Sequence, residues 1–337
     1  MTEMTVLNGV AIEELLTIPM AVEAVEQAYL EKSKGDAALW PMVFHEFDPG
    51  HADLDIKSGD LGGLGFYGLK VVSWFGANPG KGLPALYGTS LLFDLATGAP
   101  RALLNAGPIT DFRTGAAGAI GAKYLARPDA ETLLMAGTGA LAPYLIAATL
   151  YLLPQIKTVY VTNPHHPECS VAACEAITPQ VEKLLSGCGG CHAAIAAAPD
   201  LEKAVRHSDV ILTATPARKP FIKAEWVQPG THISCVGADM SGKQEVDSTL
   251  FASAKVFGDD TAQCLSVGEC EVPYKAGVFS GHICEIGGVI SGAEAGRTDA
   301  SDITIFDSTG IALQDIATAA ALLQAAQETG KGQAVTL

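Results

Sequence analysis

The stretch that most constrains this chain is Glu131-Thr-Leu-Leu-Met-Ala-Gly-Thr-Gly-Ala-Leu-Ala142. The apolar run Leu133–Ala136 predicts a buried strand, Gly137-Thr138-Gly139 a turn, and the apolar sequence from Ala140 a helix. This is G-x-G-x-x-A, the spacing of a strand–turn–helix that can carry a dinucleotide. Each small residue has a physical task. Gly137 lets the strand turn tightly, Gly139 lets backbone approach a pyrophosphate, and Ala142 lets the helix pack close to the strand. The helix start, with Thr138, Ala140 and Leu141 around it, offers N–H groups and a partial positive charge to phosphates. Alone, the same pattern also fits a tight turn with no ligand, so the flanking sequence has to decide.

Around this stretch, strands and helices alternate. Strands are predicted at Thr158–Thr162, Val210–Ala214, His232–Val236, Lys255–Gly258 and Ile303–Asp307, with a short one at His192–Ala197. Helices are predicted up to Leu185, over Leu201–His207, and over Ile311–Thr329. A helix of small residues, Thr110–Ala126, precedes the glycine turn and stops at Arg127-Pro128. The expected fold class is therefore α/β, with a Rossmann-type doubly wound parallel sheet. The first hundred residues read differently. Residues 1–18 look like a lead-in, and Pro19 opens a helix, Met20–Ser33, with Val22, Val25, Ala28 and Tyr29 on one face. Residues 36–57 show no clear period apart from a strand at Met42–Phe47. Phe66–Trp74, Tyr87–Asp94 and Pro100–Leu104 are strand-like, the last two joined by a hairpin turn, Asp94–Gly98. That pattern predicts an antiparallel α+β unit.

Bulk properties exclude some partners. A net charge of -16 at pH 7 argues against nucleic acid and anionic membranes. No apolar stretch reaches the roughly 18 residues of a membrane span, and Met1-Thr-Glu-Met-Thr-Val6 lacks the basic and apolar regions of a signal peptide. The expected location is cytoplasmic, with the eight cysteines reduced. Cys188-Gly-Gly-Cys191-His192 matches a haem-attachment pattern, but that chemistry needs export. It is read as a glycine-rich loop between a helix and a strand, and no metal is expected.

Candidate chemistry sits at the predicted strand ends, where ligands bind in this class of sheet. An acidic residue after the second strand would bond the adenosine ribose; here stand Asn163, His165 and His166. Asn163 could bond the ribose of either cofactor and a histidine could tolerate a 2′-phosphate, so NAD is expected and NADP is not excluded. The alternative is a plain polar loop. Thr213, Ala214 and Thr215 can line a cofactor edge or simply exit a strand. Val236-Gly237-Ala-Asp239 delivers a carboxylate to a loop, as an acid/base group or as a cap. Lys70, inside the apolar Gly68–Val72, must reach a cleft or a partner, because burying it unpaired is costly. Arg113, placed in the first turn of its helix, opposes the helix dipole, which suggests a carboxylate or phosphate to bind. Structural salt bridges are the alternative for both cations.

Taken in order, Gly68-Leu-Lys-Val-Val72, Asn78 with Gly82-Leu-Pro84, Ile109-Thr-Asp-Phe-Arg-Thr-Gly-Ala116 and Gly137-Thr-Gly139 form a set. Ser208–Thr215, Pro229–His232, Gly237-Ala-Asp239 with Gly242-Lys-Gln-Glu245, and Ile303–Gly310 extend it. The set resembles the ornithine cyclodeaminase/mu-crystallin family over nearly the whole chain. The resemblance implies a homodimer of two-domain subunits. Residues 1–112 with 311–337 would form a substrate-binding and dimerisation domain, and residues 113–310 an NAD(P)-binding Rossmann domain. It implies that Lys70 and Arg113 hold a substrate carboxylate, that Asp239 moves the proton at an amine or imine with Lys70 beside it among the catalytic residues, and that Arg113, Thr114, Val236, Gly237 and Asp239 reach the cofactor. Ser308 and Gly310 would lie near the nicotinamide.

The sequence departs from the family pattern at three places. No arginine follows Pro41 in Trp40-Pro-Met-Val-Phe-His-Glu46, so His45 is the expected substitute at the substrate. Cyclodeaminases tend to carry Gly-Gly-Asp in place of Gly237-Ala-Asp239, and Leu141 replaces a usual glutamine. Ser266-Val-Gly-Glu-Cys270 and Asn163-Pro-His resemble imino-acid reductase members. The resemblance therefore implies an NAD(P)H-dependent reductase or dehydrogenase interconverting a 2-imino acid, or a 2-oxo acid plus amine, with an L-amino acid. A cyclodeaminase that recycles its NAD internally and a mu-crystallin-like ligand-binding protein are the alternatives.

Overall fold

The computed structural model describes residues 3–188 and 193–336. The chain runs β1 (Glu3–Leu7), α1 (Gly9–Leu15), α2 (Ile18–Lys34), β2 (Ala37–Leu39), β3 (Val43–Asp48), β4 (Ala52–Leu61), β5 (Phe66–Phe75), β6 (Leu86–Asp94), β7 (Pro100–Asn105) and α3 (Ala106–Leu125). Then follow β8 (Thr132–Ala136), α4 (Ala142–Leu152), β9 (Thr158–Thr162), α5 (Ser170–Leu185), β10 (Ala194–Ala197), α6 (Leu201–Arg206), β11 (Val210–Thr213) and β12 (His232–Cys235). The remainder is β13 (Lys255–Gly258), α7 (Thr261–Val267), α8 (Glu271–Lys275), β14 (Cys284–Glu285), α9 (Ile286–Ile290), β15 (Thr304–Asp307), α10 (Ala312–Thr329) and β16 (Gln333–Thr336). These elements form two compact units, Met1–Arg113 with Ile311–Leu337, and Thr114–Gly310.

The first unit is a sheet in the order β16-β1-β7-β6-β5-β4-β2, with β3 paired to β4. Its pairings are antiparallel except β1 with β7, which run parallel, a departure from the expected antiparallel unit. Helix α2 packs on α10, and α10 lies on β4, β5 and β6. The apolar face expected for α2 is its buried one: Val22, Val25, Ala28 and Tyr29. Thr17 caps its start by accepting the Met20 N–H, and Gly35, at φ 79°, ends it.

Three expectations about this unit need correction. The supposed lead-in contains β1 and α1, the helix being capped by Asn8, which accepts the Ala11 N–H at 2.9 Å. Strand β4 was not anticipated, because polar Asp53, Asp55, Lys57 and Ser58 occupy much of it; full-length pairing with β5 compensates. Helix α3 begins at Ala106, four residues ahead of Thr110. Asn105 accepts the Gly107 N–H at 2.9 Å, and Pro108 is tolerated in a first turn, where its missing N–H costs nothing. Arg113 is thus two turns inside the helix, and the dipole argument for it lapses.

In the second unit the sheet order is β10-β9-β8-β11-β12-β15-β13-β14, every neighbour parallel. This is the expected α/β sheet. Every residue of β11, β12 and β15 is buried, as strands covered on both faces require. From β8 the chain moves outward through β9 to β10, and from β11 it moves the other way. The order reverses between β8 and β11, so their C-terminal ends frame the crevice where such sheets bind ligands. Helix α4 starts at Ala142, leaving Ala140 and Leu141 in the turn and not in the helix. Strand β10 starts at Ala194; His192, and Gly189–Cys191 of the glycine-rich loop, lie outside the described residues. Among the described residues, no helix is long and apolar enough to cross a membrane.

Candidate functional site

The second unit brings five sequence-predicted segments to the same edge of its sheet. Gly137 leaves β8 at φ 131°, and a Cβ there would sit 2.6 Å from the Ala214 carbonyl oxygen beyond β11. The turn is also tied to β9, through the Gly137 N–H to the Thr162 carbonyl at 3.0 Å. A Cβ on Gly139 would meet nothing within 4 Å, so the space in front of its backbone is open. Ala142 is buried, as close packing of α4 requires. A tight glycine exit, an open glycine face and a following helix start are what a dinucleotide pyrophosphate needs, and the residues present fit that group.

Asn163, after β9, is committed to the loop. Its Nδ2 donates to Thr138 Oγ1 at 3.0 Å, and its Oδ1 accepts the N–H groups of His165 and His166 at 3.1 and 2.9 Å. The loop is thereby locked to the glycine turn. His165 is exposed and meets Phe221 edge-on, with ring centroids 5.6 Å apart.

Beyond β11 and β12, one buried carboxylate collects the chain. Glu245 accepts from Thr213 Oγ1, the Thr215 N–H and Thr215 Oγ1, each at 2.7 Å, and from the Gly237 N–H at 3.0 Å. Asp239 stands on the loop after Val236 with its side chain 51% exposed, paired to the Lys243 ammonium. Ser308 and Gly310, after β15, are fixed through backbone: Ser308 N–H donates to the Cys235 carbonyl at 2.9 Å, and Gly310 N–H to Asp259 Oδ2 at 2.9 Å.

In the first unit, Lys70 and Arg113 meet on one carboxylate of α10. Lys70 Nζ is 2.9 Å from Asp315 Oδ1, and Arg113 Nε is 3.3 Å from the same oxygen. Arg113 Nη1 donates to Gln314 Oε1 at 3.0 Å, and Gln314 Nε2 donates to the Tyr29 hydroxyl at 2.7 Å. All of these side chains are buried. Burial, then the Arg113 charge, pushes Lys70 down to about 8, against the pull of Asp315. Burial works to raise Asp315, but Arg113 and Lys70 outweigh it and hold its carboxyl below the usual range. His45 is elsewhere, on β3, whose residues are all exposed, with its ring edge-on to Phe47 at 5.0 Å.

A model of the ornithine cyclodeaminase/mu-crystallin family matches residues 2–330. The chain belongs to this family. An alanine dehydrogenase of Archaeoglobus fulgidus is 35% identical over 337 residues, 99% of this chain and 98% of that protein. An archaeal alanine dehydrogenase dimer with bound NAD superposes with a TM-score of 0.86 at 35% identity, covering 99% of each chain. The iminosuccinate reductase of Paracoccus denitrificans in complex with NAD+ superposes at 0.89 with 31% identity, covering 99% of this chain and 100% of that one.

Against this family background, the residues missed by sequence reasoning are those that hold others in place. Gln314 and Asp315 carry a visible signal, two polar residues in the otherwise apolar start of α10. Glu245 stands in Gly242-Lys-Gln-Glu245 and Glu269 in Ser266-Val-Gly-Glu-Cys270, but neither stretch signals that Glu269 accepts the Glu245 and Val246 N–H groups. A buried carboxylate in a loop is recognisable only when its donors are in place.

Proposed function

We propose that this chain is an NAD(H)-dependent reductase or dehydrogenase interconverting a 2-imino acid, or a 2-oxo acid plus amine, with an L-amino acid. The observation that carries this reading is the glycine turn at the sheet's reversal point, with a carboxylate, Asp239, on a neighbouring strand exit. It is supported by similarity to an alanine dehydrogenase and an iminosuccinate reductase, both seen with NAD. Gly137, Thr138, Gly139, Ala140 and Leu141 would hold the pyrophosphate, and Asn163 and His165 the adenosine side. Ala214, Thr215, Val236, Gly237, Ser308 and Gly310 would line the rest, with Thr114 and Arg113; Thr213, fully buried with its hydroxyl on Glu245 Oε2, stands behind them. NAD is favoured over NADP because residues 163–170 hold no lysine or arginine, and Glu168 stands 3.3 Å from His166.

Bound nicotinamide would supply or accept the hydride. The protein's own part is to orient and to protonate. Lys70 and Arg113, pre-set by Asp315, hold the substrate carboxylate and fix the reacting carbon; His45, exposed on β3 against Phe47, is not gathered with them. Asp239 protonates the imine nitrogen, which makes its carbon a better hydride acceptor, and takes the proton back in reverse.

A homodimer fits the apolar surface of the first unit, where Val43, Phe44, Phe47, Leu86 and Tyr87 are all more than 40% exposed. A cytoplasmic setting fits the seven described cysteines, all free thiols.

The test is oxidation of NADH by the purified protein with 2-oxo acids plus ammonia or methylamine, and with cyclic imines. Turnover with at least one is expected. Ammonia release from ornithine or lysine without net NADH change would replace this reading with the cyclodeaminase one. The glycines give a second expected result. Gly139→Ala should leave the melting temperature unchanged and weaken NADH binding at least tenfold, because its Cβ fills open space. Gly137→Ala should lower stability by several kcal/mol, since a positive φ alone costs roughly 1–2 kcal/mol and its Cβ would strike backbone. Thermal melts and fluorescence titration check both.

A further inference from the structure

Two loops of the second unit approach each other so closely that only glycine fits between them. A Cβ on Gly237 would lie 2.3 Å from the Thr215 carbonyl oxygen, 2.5 Å from the Thr215 nitrogen and 2.6 Å from Glu245 Oε1. Nothing covalent holds the exits of β11 and β12 at this separation. Glu245 does so from below: Oε1 takes the Thr215 N–H and hydroxyl, and Oε2 takes the Thr213 hydroxyl and the Gly237 N–H. Both oxygens are saturated by donors from the two exits, and the side chain is fully buried. The Ala214 carbonyl, between the two clamped threonines, is the group that abuts Gly137. The clamp therefore sets the position of the β11 exit against the glycine turn as well.

A second layer holds the clamp. Glu269 accepts the backbone N–H groups of Glu245 and Val246 at 2.8 and 2.6 Å. Glu271 accepts the Gly242 N–H at 2.7 Å and the Ser241 hydroxyl, on the loop that carries Asp239. Burial pushes Glu245 up to about 7, with its four donors pulling it down; burial and the Glu245 charge push Glu269 well above the carboxylate range.

We infer that Glu245 is a positioning residue: it spaces the β11 and β12 exits for the dinucleotide without touching it. This rests on the NAD-dependent reading above and deepens it. Glu245→Gln has nearly the same shape, and its amide nitrogen must replace one of the two oxygens. Hydroxyls can rotate to accept from it. A backbone N–H cannot, so either Thr215 or Gly237 loses its acceptor whichever way the amide is placed.

The experiment is NADH titration by fluorescence on the full-length protein, beside amide hydrogen exchange without cofactor. In Glu245→Gln the NADH dissociation constant should rise about tenfold. The KM for NADH should rise with it, while kcat at saturating NADH stays within about threefold. Exchange of the Thr215 or Gly237 amide should quicken at least tenfold. Thr213→Val removes one donor at a fully buried site and is the second variant should the first not fold. It should raise the dissociation constant about threefold, and Thr213→Ser should restore it. Wild-type NADH affinity in either variant, or a fall in kcat with unchanged affinity, overturns the inference. A wild-type protein that fails to bind NADH sinks the proposed function, and this inference with it.

Discussion

Asp239→Asn should lower kcat for imine reduction by about 10²–10⁴, the usual contribution of a positioned general acid. Asparagine keeps the size of the side chain and cannot deliver a proton. Because Asp239 is half-exposed and pairs with a neighbouring lysine, Lys243, the fold should survive the change. NADH affinity should stay within about twofold, since the glycine turn and the Glu245 clamp are untouched. Steady-state rates and cofactor titration on the same preparation separate the two effects. Unchanged turnover would remove Asp239 from the chemistry. Cofactor binding with no turnover in either protein would point to a binding protein of the mu-crystallin kind.

Asp315→Ala should destabilise the protein by about 3–5 kcal/mol, because it leaves buried cations without their counter-charge. Lys70 and Arg113 both meet Asp315 Oδ1, and both are buried. Urea unfolding would show the loss, and Lys70→Met with Asp315→Leu should recover part of it by removing charge and counter-charge together. Substrate binding should not recover in that double variant, because the carboxylate loses Lys70. The pH dependence follows from the same cluster. Lys70 sits at about 8, so the KM for a carboxylate substrate should rise several-fold as pH passes about 8. For stability the sign is opposite: between about 8 and the unfolded value of 10.5, the unfolded chain binds more protons, so this group's contribution grows with pH. Asp315 is the group that pulls Lys70 upward, and its removal should move the KM rise to lower pH. A KM that stays flat from pH 7 to 9.5 in the wild type would remove Lys70 from carboxylate binding.

Much of the second unit could be read directly, and for a physical reason. Its strands are covered on both faces, so Leu133–Ala136, Val210–Leu212 and Ile305–Phe306 are unbroken apolar runs between turn residues. The first unit was harder to read. Its β4 carries Asp53, Asp55 and Lys57 along one face and does not announce itself by hydrophobic period, whereas β3 (Val43–Asp48) lies within one residue of the strand expected at Met42–Phe47. The start of α3 was missed because Asn105 and Pro108 read as loop residues, although one caps the helix and the other fits its first turn.

What the sequence determined alone was local and repetitive: the alternation that makes an α/β sheet, and the Gly137-Thr-Gly139 turn that bends β8 toward a helix. Which residues restrain the site was decided only in three dimensions. Asp315 is 245 residues from Lys70, and Glu245 is 30 from Thr215. A buried carboxylate is tolerated only where donors converge on it, and no sequence window contains that convergence.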